Sequence, residues 1–548
     1  MALEWIDLAI VGIYAVLLFA AANWVSREKA GHEKDAEDYF LAGKALPWWA
    51  VGASLIAANI SAEQIIGQSG QGYVVGLAIA AYEWQAAIVL LVVAKFFLPV
   101  FLARGIYTMP QFLDQRFGGS VKTIMATFWI ALYTAVNLTA VLWLGALAIN
   151  AVTGLAVWPA MAGLAAFAVL YSIYGGLKAV ALTDFVQVII LIAGGLVITW
   201  IALSLVGDGA GPAAGFSKLM AQIPGHFNMI LDTDHPNYSD LPGLWTLLGG
   251  LWVLHFSYWG FNQYIIQRAL GSKSLPEAQK GLAFAAGLKL LIPVIVVVPG
   301  IAALYLAQNG MLDRPALEAR PDSTYGVLMT LVPDGFRGLV FAALIAAIVS
   351  SLASMMNSIS TIFTMDVYRA LRPSRPEHHY VTVGRITALS AMVIALILAQ
   401  PFLGGMESAF QTIQEYSGFV APGVVAVFLL GLFWKRANTA GAFALLLSSV
   451  GLSFLFWLLA NPAALGGAGA GLLSAMGLEA LDLPFVVRIW IVFMACLAAG
   501  VIVSLATPRP TEGRPVDLTG VTFKTRTVFN IAGAAIITIL IAIYAVFW

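Results

Sequence analysis

Long apolar runs recur from one end of this 548-residue chain to the other, separated by short polar breaks. A helix of about 20 mostly apolar residues crosses a bilayer, and the runs predict about fourteen of them. They lie near 4–25, 48–74, 77–103, 120–150, 157–176, 183–206, 244–268, 279–306, 337–367, 382–401, 407–434, 438–460, 485–506 and 525–547. Around the first run the charges stand in the reverse of signal-peptide order. Glu4 and Asp7 precede it, and Arg27, Lys29 and Lys34 follow. The expectation is therefore an uncleaved first helix.

Composition agrees with this pattern. The chain is 61% hydrophobic and only 10% charged, where a soluble domain carries about a quarter charged residues. Lys+Arg and Asp+Glu both number 28, which excludes a basic nucleic-acid binder. The lone Cys496 permits no internal disulfide and no cysteine-based metal site. Under a topology with the N-terminus outside, 21 of the 28 basic residues fall in inner loops and at inner span ends, including Arg369, Arg372, Arg375 and Arg385. Five, Lys218, Arg314, Arg320, Arg337 and Arg488, are outside, and Lys95 and Lys289 lie within spans. The excess of basic residues inside favours that orientation, with both termini outside. The expected fold class is an all-α polytopic membrane protein, with residues 1–548 as one membrane domain.

Three helices break the apolar pattern. The second carries Asn59, Ser61, Glu63 and Gln64 in mid-run, the seventh His255, Ser257, Gly260, Asn262 and Gln263, and the ninth a dense set of hydroxyls over 346–364. Irregular backbone at membrane depth survives only where it is buried or lines a cavity. The first two therefore read as interrupted helices, the pointer to a transporter's binding site. They stand five helices apart, and five is an odd number of crossings. A second copy of a five-helix unit would enter the membrane inverted, with the site between the two breaks.

On the ninth helix Ala347, Ser350 and Ser351 share a face. Facing the freed carbonyls of a broken helix, they would form an oxygen cage for a small hard cation. Serines in membrane helices also bond their own i−4 carbonyls or aid packing, and spacing alone leaves both readings open. Ionisable residues within spans or at functional-looking ends are Glu63, Glu83, Lys95, Asp184, Lys289 and Glu415. Glu83 and Lys289 read either as a buried pair or as an acceptor and donor for a polyhydroxyl solute. Asp184 reads as a helix N-cap, His255 as a core histidine or a ligand, and Tyr258 and Trp259 as packing or stacking rings. No nucleophile–base constellation points to an enzyme.

The strings DYFLAGKALPWWAVGASLIAANISAEQ, YSIYGGLKAVALTDFVQ, YWGFNQYIIQR, VSSLASMMNS, FQTIQEYSGFVAPG and LGLFWKRANTAGA resemble the sodium/solute symporter family. Within it they resemble the sodium/glucose branch and its bacterial sodium/galactose members. The resemblance runs through essentially the whole chain. It implies a LeuT-type five-plus-five inverted-repeat core, with one extra helix before it (4–25) and three after it (438–547). The first repeat would span 48–206 and the second 244–434.

The same resemblance implies residue roles. Sodium would be held by carbonyls of Ala57, Ile60 and Ala347 and hydroxyls of Ser350 and Ser351, with Asp184 in ion coupling and release. Gln64, Glu83, Lys289 and Gln414 match sugar-contacting positions, and Asn59 and Ser61 share the unwound stretch. Tyr258 matches an inner-gate aromatic beneath the sugar, with Trp259 beside it, and Tyr82 and Phe410 match outer-gate aromatics. Three positions depart from the galactose members: His255 replaces an asparagine, Ala86 a serine and Gln68 an outer-gate methionine. These changes alter which sugar hydroxyls would be satisfied. The expected function is symport of sodium with a hexose, galactose or glucose, by alternating access in the cell's inner membrane. Alternatives are another sodium-coupled solute (inositol, an amino acid or a carboxylate) or passive uniport. No nucleic-acid partner is expected, and the sequence leaves the oligomeric state open.

Overall fold

The computed structural model describes residues 3–26, 35–403, 409–462, 483–508 and 516–548, with single positions at 466, 471 and 475. The basic residues Arg27, Lys29 and Lys34, and most of the 461–484 connection, lie outside the described residues. Every described element is a helix, and the β pairing among the described residues is one isolated bridge, Leu46 with Ser272. A helix satisfies its backbone internally, which hydrocarbon requires of any segment that crosses it.

The main helices in chain order are α1 (Trp5–Ser26), α2 (Trp48–Asn59 and Glu63–Val74), α3 (Leu77–Ala103), α4 (Gly119–Thr153), α5 (Val157–Ser172) and α6 (Gly176–Val206). Next come α7 (Gly250–His255, Phe256–Phe261 and Gln263–Leu270), α8 (Leu275–Gln308), α9 (Phe336–Leu371), α10 (Glu377–Leu403) and α11 (Ala409–Gly418 and Ala421–Phe433). Last are α12 (Thr439–Ala460), α13 (Phe485–Ala506) and α14 (Thr527–Val546). Eleven described helices are long and apolar enough to cross a membrane, and the two halves of α2 make a twelfth span bent by 60°. The other two predicted spans are the shorter apolar α5 and the interrupted α7.

Contacts between connections define two opposite faces. On one, Gly335 N–H donates to Asp7 at 2.7 Å, Asn237 Nδ2 to the Val74 carbonyl at 3.0 Å, and Met229 N–H to the Phe547 carbonyl at 2.6 Å. Both ends of the described chain are on this face. On the other, Thr439 Oγ1 donates to the Phe117 carbonyl at 2.7 Å, and Leu46 pairs with Ser272. That bridge sets the start of α2 beside the end of α7, so the two broken helices run antiparallel.

Two predicted boundaries move. The connection between α5 and α6 was expected over about six residues, yet the turn is made at Gly176 and helix resumes at once. Gly176 has φ +58°, and a Cβ there would stand 2.6 Å from the Tyr39 carbonyl oxygen, so glycine alone fits. The eleventh run was expected unbroken, and it is interrupted at Phe419–Val420 just before Pro422. Ser449 on α12 caps the gap, accepting from Gly423 N–H and donating to the Phe419 carbonyl, both at 2.9 Å.

Candidate functional site

The break in α2 starts from one side chain. Within a regular helix the Ser61 N–H would bond the Ala57 carbonyl. Here it donates to Gln64 Oε1 at 3.1 Å, and the Ser61 hydroxyl donates to the same oxygen at 2.7 Å. The Glu63 N–H turns to Ser61 Oγ at 3.1 Å. Carbonyls freed in this way face α9, where Ser351 Oγ donates to those of Ala58 at 3.1 Å and Ala57 at 3.4 Å. Ile60 ends the first half of α2, and Ala347 lies one turn above Ser351, both buried. Ser351 Oγ and the Ala57 and Ala58 carbonyls thus come together as neutral oxygens, the donor type that a hard cation takes.

Asp184 stands beside this corner rather than capping a helix end. It is fully buried inside α6 and accepts from Ser350 Oγ at 2.6 Å and from Ser54 Oγ. Arg268 at the end of α7, counted above as an inner-surface charge, is also fully buried. Its guanidinium donates to Ser54 Oγ at 2.8 Å, to the Ser54 carbonyl at 3.1 Å, and to Ser354 Oγ and the Tyr264 carbonyl. Four helices, α2, α6, α7 and α9, are therefore tied through one network that Asp184 anchors. Ser54 and Arg268 escaped the sequence reading because each lies a turn or more from the residues that break the pattern.

On the opposite side of the α2 break is a polar cavity lined by Asn59, Glu63, Gln64, Glu83, Lys289 and Gln414, with His255, Tyr258 and Trp259. Lys289 from α8 forms a buried ion pair with Glu83 of α3 and donates to Asn59 Oδ1. Its ammonium lies 4.8 Å from the centre of the Trp259 ring, a cation–π contact. Gln68 donates to the second Glu83 oxygen at 2.7 Å. Asn59 Nδ2 donates to the Tyr258 hydroxyl at 3.1 Å, and Tyr264, which sequence reasoning missed, donates to the same hydroxyl at 2.7 Å. Glu83 and Lys289 thus form a buried ion pair that lines the cavity. His255 is buried, and its Nε2 has no hydrogen-bond partner among the described residues. Ala86 is buried but is not among the lining residues.

The cavity is closed toward the face that carries the chain ends. Tyr82 and Phe410 meet edge to face at 5.4 Å, Phe410 packs on the bare Gly67, and Gln68 is buried beside them. In the other direction the lining continues past Asn262, Trp129, Leu132 and Val424. These belong to the parts of α4, α7 and α11 nearest the 104–118 connection, so the cavity leads toward that face.

Residues 39–448 match the sodium:solute symporter family. The sodium/glucose cotransporter of Vibrio parahaemolyticus is 48% identical over all of this chain and 99% of its own. The chain belongs to the sodium:solute symporter family. This symporter is also 35% identical to the sodium/myo-inositol cotransporter 2 of Sus scrofa, over 81% of this chain and 68% of the relative. A solved Na+-coupled sialic acid symporter aligns with TM-score 0.77 and 21% identity, over 93% of this chain and 99% of that one. The fold is thus the LeuT-type one expected from the sequence. Membership makes the chain a multi-pass membrane transporter rather than an enzyme, with sodium as its coupling ion.

One contact on the closed side of this symporter carries a prediction. Arg488 of α13 bonds Glu415 at 2.7 Å, next to Gln414 on the first segment of α11. Arg488→Gln leaves a half-buried carboxylate unpaired, at a cost of about 1–3 kcal/mol. The expected result is a lower melting temperature in detergent. The exchange Glu415→Arg with Arg488→Glu should recover part of it, and no recovery would mean that the pair does not act as one.

Proposed function

We propose that this chain carries sodium and a hexose together into the cell by alternating access. The observation that carries the reading is the shared break in α2. Its freed carbonyls meet Ser351 on one side, while Asn59, Glu63 and Gln64 enter the polar cavity on the other. An ion ordering that backbone necessarily orders part of the cavity, which is the physical content of coupling.

In this proposal sodium binds the carbonyls of Ala57, Ile60 and Ala347 and the hydroxyls of Ser350 and Ser351. Asp184, which accepts from Ser350 Oγ, supplies a nearby negative charge that serves ion coupling and release. The hexose lies between Gln64, Glu83, Lys289, Gln414 and His255, with Asn59 and Ser61 adjoining, above Tyr258 and Trp259. Gln68, Tyr82 and Phe410 shut the outer side and Tyr258 the inner. On this assignment the face with the chain ends is outside, the membrane is the cell's inner one, and the conformation is closed outward. The repeats are 48–206 and 244–434, flanked by 4–25 and 438–547. A hexose is supported by the Vibrio relative's name and by a lining rich in both donors and acceptors. A cyclic polyol is the second reading, favoured by the myo-inositol relatives. Two carboxylates in the lining, Glu63 and Glu83, oppose an anionic substrate.

Coupling also sets a limit on accumulation. One charge crossing 100 mV yields ~2.3 kcal/mol, and a tenfold sodium gradient adds ~1.4 kcal/mol. One sodium per sugar then sustains accumulation on the order of 10^2.7. Proteoliposomes given labelled galactose, glucose or inositol should concentrate at least one of them only under an inward sodium gradient. Uptake of all three that is indifferent to sodium would defeat the proposal.

A further inference from the structure

We propose that Glu63 is a further substrate-binding residue, whose carboxylate with Gln414 receives hydroxyl groups of the transported polyol. This inference rests on the reading of the cavity as a polyol site.

The argument is a count of what each acidic oxygen already does. Among the described residues, two carboxylates and one ammonium line the cavity. Each Glu83 oxygen already has a protein donor, one from Gln68 and the other from Lys289, and keeps acceptor capacity to spare. Glu63 lines the same cavity, is 8% exposed, and has no cationic partner among the described residues. Among the described residues its one side-chain hydrogen bond is a long one, from Gln414 Nε2 to Oε1 at 3.5 Å. The donors of Ser61 and Asn59 are committed elsewhere: both Ser61 groups go to Gln64 Oε1, and Asn59 Nδ2 goes to Tyr258. An ionised carboxylate accepts about four hydrogen bonds, and one buried without donors is disfavoured. A ligand carrying several hydroxyl donors supplies what the protein does not.

Position supports the same assignment. Glu63 opens the second half of α2, directly after the break whose carbonyls face Ser351. Gln414 lies on the outer part of α11, the segment that carries Phe410 of the outer closure. A polyol bridging Glu63 and Gln414 would thus draw the broken helix and the gating helix together. Glu83 and Lys289 hold the other side of the ligand, from α3 and α8. Two separate acceptors on opposed walls would read hydroxyls on different edges of the ring.

The test compares wild type, Glu63→Gln and Glu63→Asp in proteoliposomes, with the transported hexose and its monodeoxy and monofluoro analogues. Sodium binding is followed separately by the sodium-induced change in tryptophan fluorescence without sugar. Glu63→Gln should raise the half-saturating hexose concentration about 10- to 100-fold, the value of a hydrogen bond to a charged group, with sodium half-saturation unchanged. Glu63→Asp should recover part of the loss. At one or two ring positions, removing the hydroxyl should weaken transport by wild type and leave Glu63→Gln indifferent. Three results overturn the inference: unchanged hexose affinity in Glu63→Gln, equal loss of sodium binding, or an effect confined to the pH profile. The last would make Glu63 a proton site. Failure of wild type to take up any polyol under a sodium gradient would instead remove the underlying reading. Wild-type uptake with an unaltered analogue pattern in Glu63→Gln removes this inference alone.

Discussion

Lys289→Ala should abolish hexose uptake while sodium binding persists. Lys289 is the one ammonium lining the cavity among the described residues, it is 1% exposed, and it holds Glu83 and Asn59 at once. Removing one partner of a buried ion pair costs about 3–5 kcal/mol, because the remaining charge stays buried and unpaired. Applied to ligand binding, that is a loss of more than about a hundredfold. The cost comes mainly from stranded Glu83, so a second change should lessen it. Glu83→Gln with Lys289→Ala should fold and bind sodium better than Lys289→Ala alone, though neither should transport sugar. Labelled-hexose uptake and sodium-induced tryptophan fluorescence, measured across this double-mutant cycle, separate the two effects. Equal loss of sodium response and sugar uptake in every variant would assign Lys289 to the fold instead. Gln414→Ala should behave alike but more mildly, since its contact to Glu63 is long.

The breaks that matter most were visible in the chain because polar residues stand where lipid tolerates none. Asn59, Ser61 and Gln64 in α2, and Asn262 in α7, mark the interruptions that the structure places side by side. The break in α11 was overlooked although Gly418 and Pro422 flank it, because Phe419 and Val420 keep the run apolar and the group that satisfies the break, Ser449, is on another helix. Asp184 and Arg268 were misplaced for a related reason. Each sits near the end of an apolar run, where a charge normally faces water, and only packing shows that both are fully buried. Gly176 hid a one-residue turn, since its need for glycine comes from Tyr39, far away in sequence. Local pattern reports where a helix fails. Which distant side chain repairs the failure is a property of the packed fold, and at these helices the repair also builds the site.

That distinction bears directly on Ser351→Ala. The Ser351 hydroxyl donates to the freed α2 carbonyls at 3.1 and 3.4 Å, while Ser350 is turned to Asp184. Deleting it removes a proposed sodium ligand and also strands two buried carbonyls, each worth about 1–3 kcal/mol. Half-saturating sodium should therefore rise at least about tenfold, and accumulation against a gradient should vanish. Downhill sugar flux should fall less, because the cavity's own partners remain in place. Ser360→Ala on the same helix is the control. Its hydroxyl is buried near Gly384, away from the break, and makes no hydrogen bond among the described residues. Measured uptake with and without a sodium gradient decides the matter. If Ser351→Ala still concentrates sugar, the α2 break does not hold the coupling ion. If Ser360→Ala loses coupling equally, the effect belongs to the helix as a whole. Loss in the first variant alone would tie coupling to the carbonyls that Gln64, by drawing away the Ser61 N–H, leaves open.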